Sequence, residues 1–210
     1  MPSQDRCVAR WRRRWDKQAR SYDSQIRFLE RTLFGDSRAW VCSQASGDVL
    51  EVAIGTGLNL AFYPPEVRLT GIEWSPAMLA IARHRAVDLG RFVELLEGDA
   101  QELPFPDASF DTVICTFGLC AIPDDEQAIT EMYRVLRPGG RLLLADHVPS
   151  TAWPARAIQW LLEKATIPLA GEHFLRRPLN LLRAHGWDIH HAQRFKLGVV
   201  ERLAAGKPNP

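Results

Sequence analysis

The sequence predicts an α/β fold: a doubly wound, seven-stranded sheet with helices on both faces. Three observations lead there. Val49, Leu50 and Val52 form a short apolar run of β-formers without helical spacing. The run ends in the glycine turn Ala53-Ile54-Gly55-Thr56-Gly57. From Val49 onward, strand and helix patterns alternate, as a parallel sheet requires.

The size and composition agree. A chain of 210 residues suffices for one domain with a full core. With 46% apolar and 24% charged residues, the composition is globular rather than disordered. Lys and Arg number 26 against 25 Asp and Glu, a net charge of +1, so no overall field attracts nucleic acid. Cys7, Cys42, Cys115 and Cys120 have no C-x-x-C spacing, which predicts free thiols and a cytoplasmic protein. Arg and Lys interrupt any apolar stretch near the start, so no signal peptide is expected. No run approaches the roughly twenty apolar residues of a membrane span.

Residues 1–40 read as helical. Trp11, Trp15, Tyr22, Ile26, Leu29 and Leu33 recur on one face, opposite a basic face with Arg10, Arg12, Arg13, Arg14, Lys17 and Arg20. Such a helix can lie on an anionic membrane or cover the mouth of a site, and the covering role is the favoured reading. Strands are expected at Asp48–Ala53, Arg68–Glu73, Val93–Glu97, Phe110–Thr116 and Arg141–His147, with two more near Trp187–Phe195 and Val199–Ala204. Ser75-Pro76 opens a helix that runs to about Leu89 and stops at Gly90, with Ser as N-cap and Pro at the first helical position. Pro138-Gly139-Gly140 reads as a turn before the fifth strand. The segment from Pro149 to Pro178 interrupts the sheet with more apolar material than a connection needs, including Trp153, Trp160 and Phe174.

Two acids carry the first chemical signal. Glu51 lies inside the first strand, where a carboxylate is costly unless paired. A ligand ammonium group would pair it, and Gly55 and Gly57 would let the backbone approach such a ligand. Glu73 follows roughly twenty residues later, where an acid meets the ribose hydroxyls of a bound nucleoside.

Further segments follow in order: Glu97-Gly98-Asp99-Ala100, Leu103 to Asp111, the apolar strand Thr112 to Thr116, and Arg134 to Gly140. Together they resemble the class I S-adenosylmethionine-dependent methyltransferases, above all the ubiquinone/menaquinone-biosynthesis-like group, across Val49 to His147. The resemblance implies a Rossmann-like sheet with an antiparallel last strand. It also implies an N-terminal helical lid over 1–40, a methyltransferase domain over 41–210 and S-adenosylmethionine as cofactor. Ala53 departs from the pattern, standing at the usual first glycine. By resemblance, Glu51, Ala53, Gly55 and Gly57 hold the methionine end, Tyr22 reaches in from the lid and Glu73 takes the ribose. Trp74 lies against the adenine, Asp99 and Ala100 bond it, and Thr116 stands where the methyl points. An acceptor pocket would be built from Phe117 and the insertion at about 149–178, with Trp153 and Phe174.

Methyl transfer from a sulfonium needs alignment, an unprotonated acceptor and exclusion of water, so acid–base machinery is optional. His147, His173 and Asp146 are the candidate bases. No His/Cys/Asp cluster shows metal-ligand spacing, so no metal is expected. Phe62-Tyr63-Pro64-Pro65, Cys115 to Cys120 and Asp146-His147-Val148 are similar to the alkyl-thiol methyltransferases of animals and to bacterial phospholipid N-methyltransferases. The expected acceptor is a small apolar molecule, with a thiol first. A phospholipid or small amine, a quinone-like metabolite and a cofactor-binding module without transfer stay open. Nucleic acid is not expected as a partner, and membrane contact is not favoured.

Overall fold

The computed structural model describes residues 2–209. Strands β1 (Asp48–Val52), β2 (Arg68–Glu73), β3 (Val93–Glu97), β4 (Phe110–Thr116), β5 (Leu136–His147), β6 (Asp188–Phe195) and β7 (Val200–Gly206) form one sheet in the order β3-β2-β1-β4-β5-β7-β6. The first five run parallel, and β7 lies antiparallel to both β5 and β6. The strand order reverses at β1 and β4, which opens a crevice beyond their carboxyl ends.

Alternation along the strands builds two cores. Leu50 and Val52 of β1 join Leu142 and Leu144 of β5 on one face, against Ile129 and Met132 of α4 (Asp125–Val135) and Leu182 of α6 (Pro178–Ala184). Val49, Leu143 and Ala145 point the other way, toward Val41 of α2 (Ser37–Cys42) and Leu79 of α3 (Pro76–Asp88). Both faces of the sheet are thereby covered, as a parallel sheet needs.

Three boundaries differ from the sequence reading. The first helix, α1, spans Pro2–Leu29, widens into a π-helical turn at Glu30–Phe34, and gives way to α2 after Gly35 at φ +59°. β5 begins at Leu136, because that residue pairs with Phe110 before the register shifts. The Pro138-Gly139-Gly140 stretch therefore lies within the strand rather than ahead of it. The insertion forms a single long helix, α5 (Trp153–Ala170), ending on Gly171 in the left-handed region.

Candidate functional site

The site grows from the end of β1. Ala53 (φ +56°), Gly55 (φ +60°) and Gly57 (φ +78°) all take left-handed backbone. Glycine adopts it freely, whereas alanine pays a steric penalty there. Glu73, at the tip of β2, holds this turn in place. One carboxylate oxygen accepts from Gly55 N at 2.9 Å and the other from Ser75 N at 2.9 Å. Burial pushes the Glu73 carboxyl up to about 7, against the pull of those backbone donors. Ser75 caps α3 by accepting from Met78 N.

α1 is fastened across this end of the sheet by two acids. Asp16 accepts from the Ser75 hydroxyl at 2.6 Å, and Asp23 accepts from the Thr56 hydroxyl at 2.6 Å and pairs with Arg85. Asp16 and Asp23 are two turns apart on one face of the helix. Trp15 and Tyr22 come with them, packed edge to face with ring centroids 6.2 Å apart.

Between these parts lies a cleft with an empty volume of about 630 Å³. Tyr22, Ala53, Gly55, Glu73, Trp74, Asp99, Ala100 and Phe117 line it, so eight of the residues expected in the site meet there. Asp99 accepts from Gln101 N and from its side-chain amide at 2.9 Å. Phe117 stands at φ +51° with its ring stacked 3.8 Å from Phe34.

The remaining expected residues do not line this cleft. Glu51 is buried but satisfied from within: Asn59 Nδ2 donates to it at 2.7 Å and the Tyr63 hydroxyl at 2.8 Å. Burial raises its carboxyl to about 7, against the pull of the Tyr63 and Asn59 donors. The Thr116 hydroxyl accepts from Asn59 at 2.7 Å and from Arg38 at 3.1 Å, in the same buried network. Gly57 packs beneath the turn, where an added Cβ would meet Leu60 at 2.8 Å. The Nδ1 of His173 faces Glu163 at 3.8 Å, and its backbone N–H donates to Cys120 O. Trp153 is 74% exposed on the outer side of α5, away from the cleft. Phe174 stacks on His147 with centroids 4.6 Å apart.

Sequence spacing also missed a cluster. Cys120, Asp146 and His147 are buried, with one potential ligand atom from each lying within 4.8 Å of the others. The parallel pairing of β4 and β5 carries the turn after β4 to the end of β5, which linear spacing cannot reveal. Asp146 accepts from Cys120 N at 3.2 Å and His147 N at 2.8 Å, and burial raises its carboxyl. The His147 Nδ1 is buried without a hydrogen-bond partner among the described residues. Arg38 was missed as well. It is buried behind Phe117, with its guanidinium 5.1 Å from the ring centroid.

A sheet of this order, with a glycine turn and an acid at the tip of the next strand, defines the class of Rossmann-like nucleoside-binding folds. Residues 50–144 match the family described as a methyltransferase domain. That stretch, less than half of the chain, is similar to methyltransferase domains. Phosphatidylethanolamine N-methyltransferase of Cereibacter sphaeroides is 42% identical over 115 residues, covering 54% of this chain and 57% of that protein. Demethylmenaquinone methyltransferase of Thermus thermophilus is 40% identical over 138 residues, 61% of each. The chain thus spans 57% and 61% of the length of these two curated relatives. A solved S-adenosylmethionine-dependent methyltransferase of Thermotoga maritima superimposes with a TM-score of 0.70 at 22% identity, over 92% of this chain and 98% of its own. At that identity the likeness concerns the fold alone.

The residues of the cleft fit the cofactor this family implies. A carboxylate offers about four lone-pair sites. Glu73 uses two of them on Gly55 and Ser75, which leaves acceptors for a pair of hydroxyls. Trp74 supplies an aromatic face, while Ile72, Met78, Ala100 and Ile122 supply the apolar lining a purine needs.

Proposed function

We propose that the protein transfers a methyl group from S-adenosylmethionine to a small, largely apolar molecule, with a thiol as the first-choice acceptor atom. The observation that carries this reading is the half-used Glu73 carboxylate at the edge of an apolar cleft. Bound S-adenosylmethionine supplies a methyl group on a sulfonium, whose departure requires no proton. The chain's own contributions are binding, alignment, dryness and removal of the acceptor proton.

Glu73 would accept the ribose hydroxyls and Asp99 the adenine amino group. The backbone at Ala53 and Gly55 would border the methionine end. Trp15, Tyr22 and Phe117 would exclude water, which otherwise solvates the nucleophile. Phe117, Gly118, Ala121 and Ile122 add uncharged lining to the cleft, which favours an uncharged, apolar acceptor. A thiol ionises near pH 8.5 and is a strong nucleophile once ionised, so mild help suffices. His147 lies outside the cleft lining, and its buried Nδ1 has no hydrogen-bond partner among the described residues; it would take that proton from an acceptor that extends beyond the lining. His173 would position the loop that carries Phe174, through Glu163.

A second reading, methylation of a phospholipid amine, is favoured by the phosphatidylethanolamine N-methyltransferase among the relatives. One experiment separates the readings. Cofactor binding is measured calorimetrically, and transfer is followed over thiols, amines, phenols and phosphatidylethanolamine vesicles. Thiol turnover should fall about 10²–10⁴-fold in His147→Ala and recover partly at high pH. Activity on vesicles with none on any thiol would move the assignment to the lipid amine. Binding without any turnover would leave a cofactor-binding module.

A further inference from the structure

Helix α5 is built inside out. Its protein-facing positions recur at three- and four-residue steps and hold Gln159, Glu163 and Thr166. All three are bonded inward. Gln159 donates to Val148 O at 2.9 Å and accepts from Ser150 N at 2.7 Å. Glu163 accepts from the backbone of Phe174 and Leu175, and Thr166 donates to Glu172 O at 2.9 Å. The rest of the helix surface exposes Trp153, Ile158, Trp160, Leu161, Leu162 and Leu169, with Leu161 at 61%. A surface helix of a soluble domain turns its apolar stripe to the core. An apolar patch turned outward marks an interaction surface.

The charges sort the same way. The one acid of α5, Glu163, faces in, while Arg156 is exposed and Lys164 lies 3.9 Å from the Trp160 ring centroid. α1 packs alongside, its Trp11 ring against Gly171 and its Arg10 guanidinium donating to Pro168 O at 2.6 Å. On α1, Asp16 and Asp23 are bonded toward the sheet. Arg13, Lys17 and Arg20 share one exposed stripe and pair with no acid among the described residues.

We propose that the outer face of α5, together with the adjoining cations of α1, docks flat on the surface of an anionic phospholipid bilayer. An apolar helix side flanked by Lys and Arg, with Trp near the polar boundary, is how interfacial helices insert. At 18 residues, α5 would lie along about 27 Å of surface. It cannot cross: among the described residues no helix is long and apolar enough to span a membrane. A second copy fits the face less well, because a two-fold contact would bring Arg13, Lys17 and Arg20 together with their counterparts, while the acids Asp16, Asp23 and Glu163 are bonded inward. The inference holds whichever acceptor the cleft takes.

Flotation of the full chain with vesicles of phosphatidylcholine alone, or mixed with phosphatidylglycerol, tests it. Binding is expected to the mixed vesicles, weakening as salt is raised. Arg13→Gln/Lys17→Gln/Arg20→Gln should lower the partition coefficient about fivefold per cation removed. Trp153→Ser/Leu161→Ser/Leu169→Ser should abolish stable binding while cofactor affinity and the thermal transition stay as in wild type, since the changed side chains are exposed. Absence of binding to the mixed vesicles at low salt would overturn the proposal. So would a concentration-dependent dimer, seen by sedimentation, that the apolar triple variant disperses.

Discussion

At the scale of single residues, Glu73 and Ala53 carry the sharpest consequences. Glu73 is buried with its carboxyl raised to about 7, and hydroxyl donors favour its ionised form. Cofactor affinity should therefore rise with pH up to about 7 and level off above it, with protons released on binding below that point. Calorimetry in buffers of different ionisation enthalpy reads this directly. Glu73→Gln should weaken binding by about 1.5–3 kcal/mol and remove the slope. Ala53 sits in backbone that costs an L-residue about 1–2 kcal/mol, and glycine would return about 0.5–1 kcal/mol of that as unfolded-state entropy. Ala53→Gly should thus stabilise by about 0.5 kcal/mol in urea unfolding. A destabilised variant would mean that the methyl group's packing beside Gly118 outweighs the strain.

At the scale of elements, α1 is fastened to the end of the sheet by few bonds. Asp16 grips the cap of α3 and Asp23 grips the glycine turn, so the helix bridges the two loops that border Glu73. We assign α1 the role of a lid. Deleting residues 1–20 removes Asp16 and Trp15 but no strand, so the sheet should remain folded by circular dichroism. The dissociation constant for S-adenosylmethionine should rise at least tenfold. Normal binding and turnover by the truncated chain would make α1 a surface arm instead.

At the scale of the molecule, burial of acids shapes stability. Glu51 and Glu73 both rise from 4.5 to about 7 in the fold. Between those values the folded state holds protons that the unfolded chain has released, so these groups lower stability as pH rises from 4.5 to 7. Above 7 their contribution is constant. Asp48 acts in the opposite sense: its ion pairs with Arg68 and Arg137 lower it to about 2, so its contribution is lost only in stronger acid. Glu51→Gln should gain stability relative to wild type across pH 4.5–7, measured as the difference in unfolding free energy. A constant difference over that range would mean that Glu51 stays ionised in the fold.

How much could be read without coordinates depends on how local each cause is. The strands at β1 to β4, the cap at Ser75-Pro76 and the glycine turn follow from short-range preferences and alternation, and these bounds held to within a residue. Glu73, Trp74, Asp99 and Phe117 were legible because each lies at, or within two residues after, the end of a strand that points at the crevice. The protein donors to Glu51, Asn59 and Tyr63, were not legible, because they come from the segment after β1 that folds back onto it. The Cys120, Asp146 and His147 cluster needed two strands to be laid side by side. The orientation of α5 was the largest surprise. Its apolar residues are spread around most of the helix, so periodicity could not say which side faces in. Only the tertiary bonds of Gln159, Glu163 and Thr166 decided that, because a buried polar group must find a partner and its position then dictates the rotation of the whole helix.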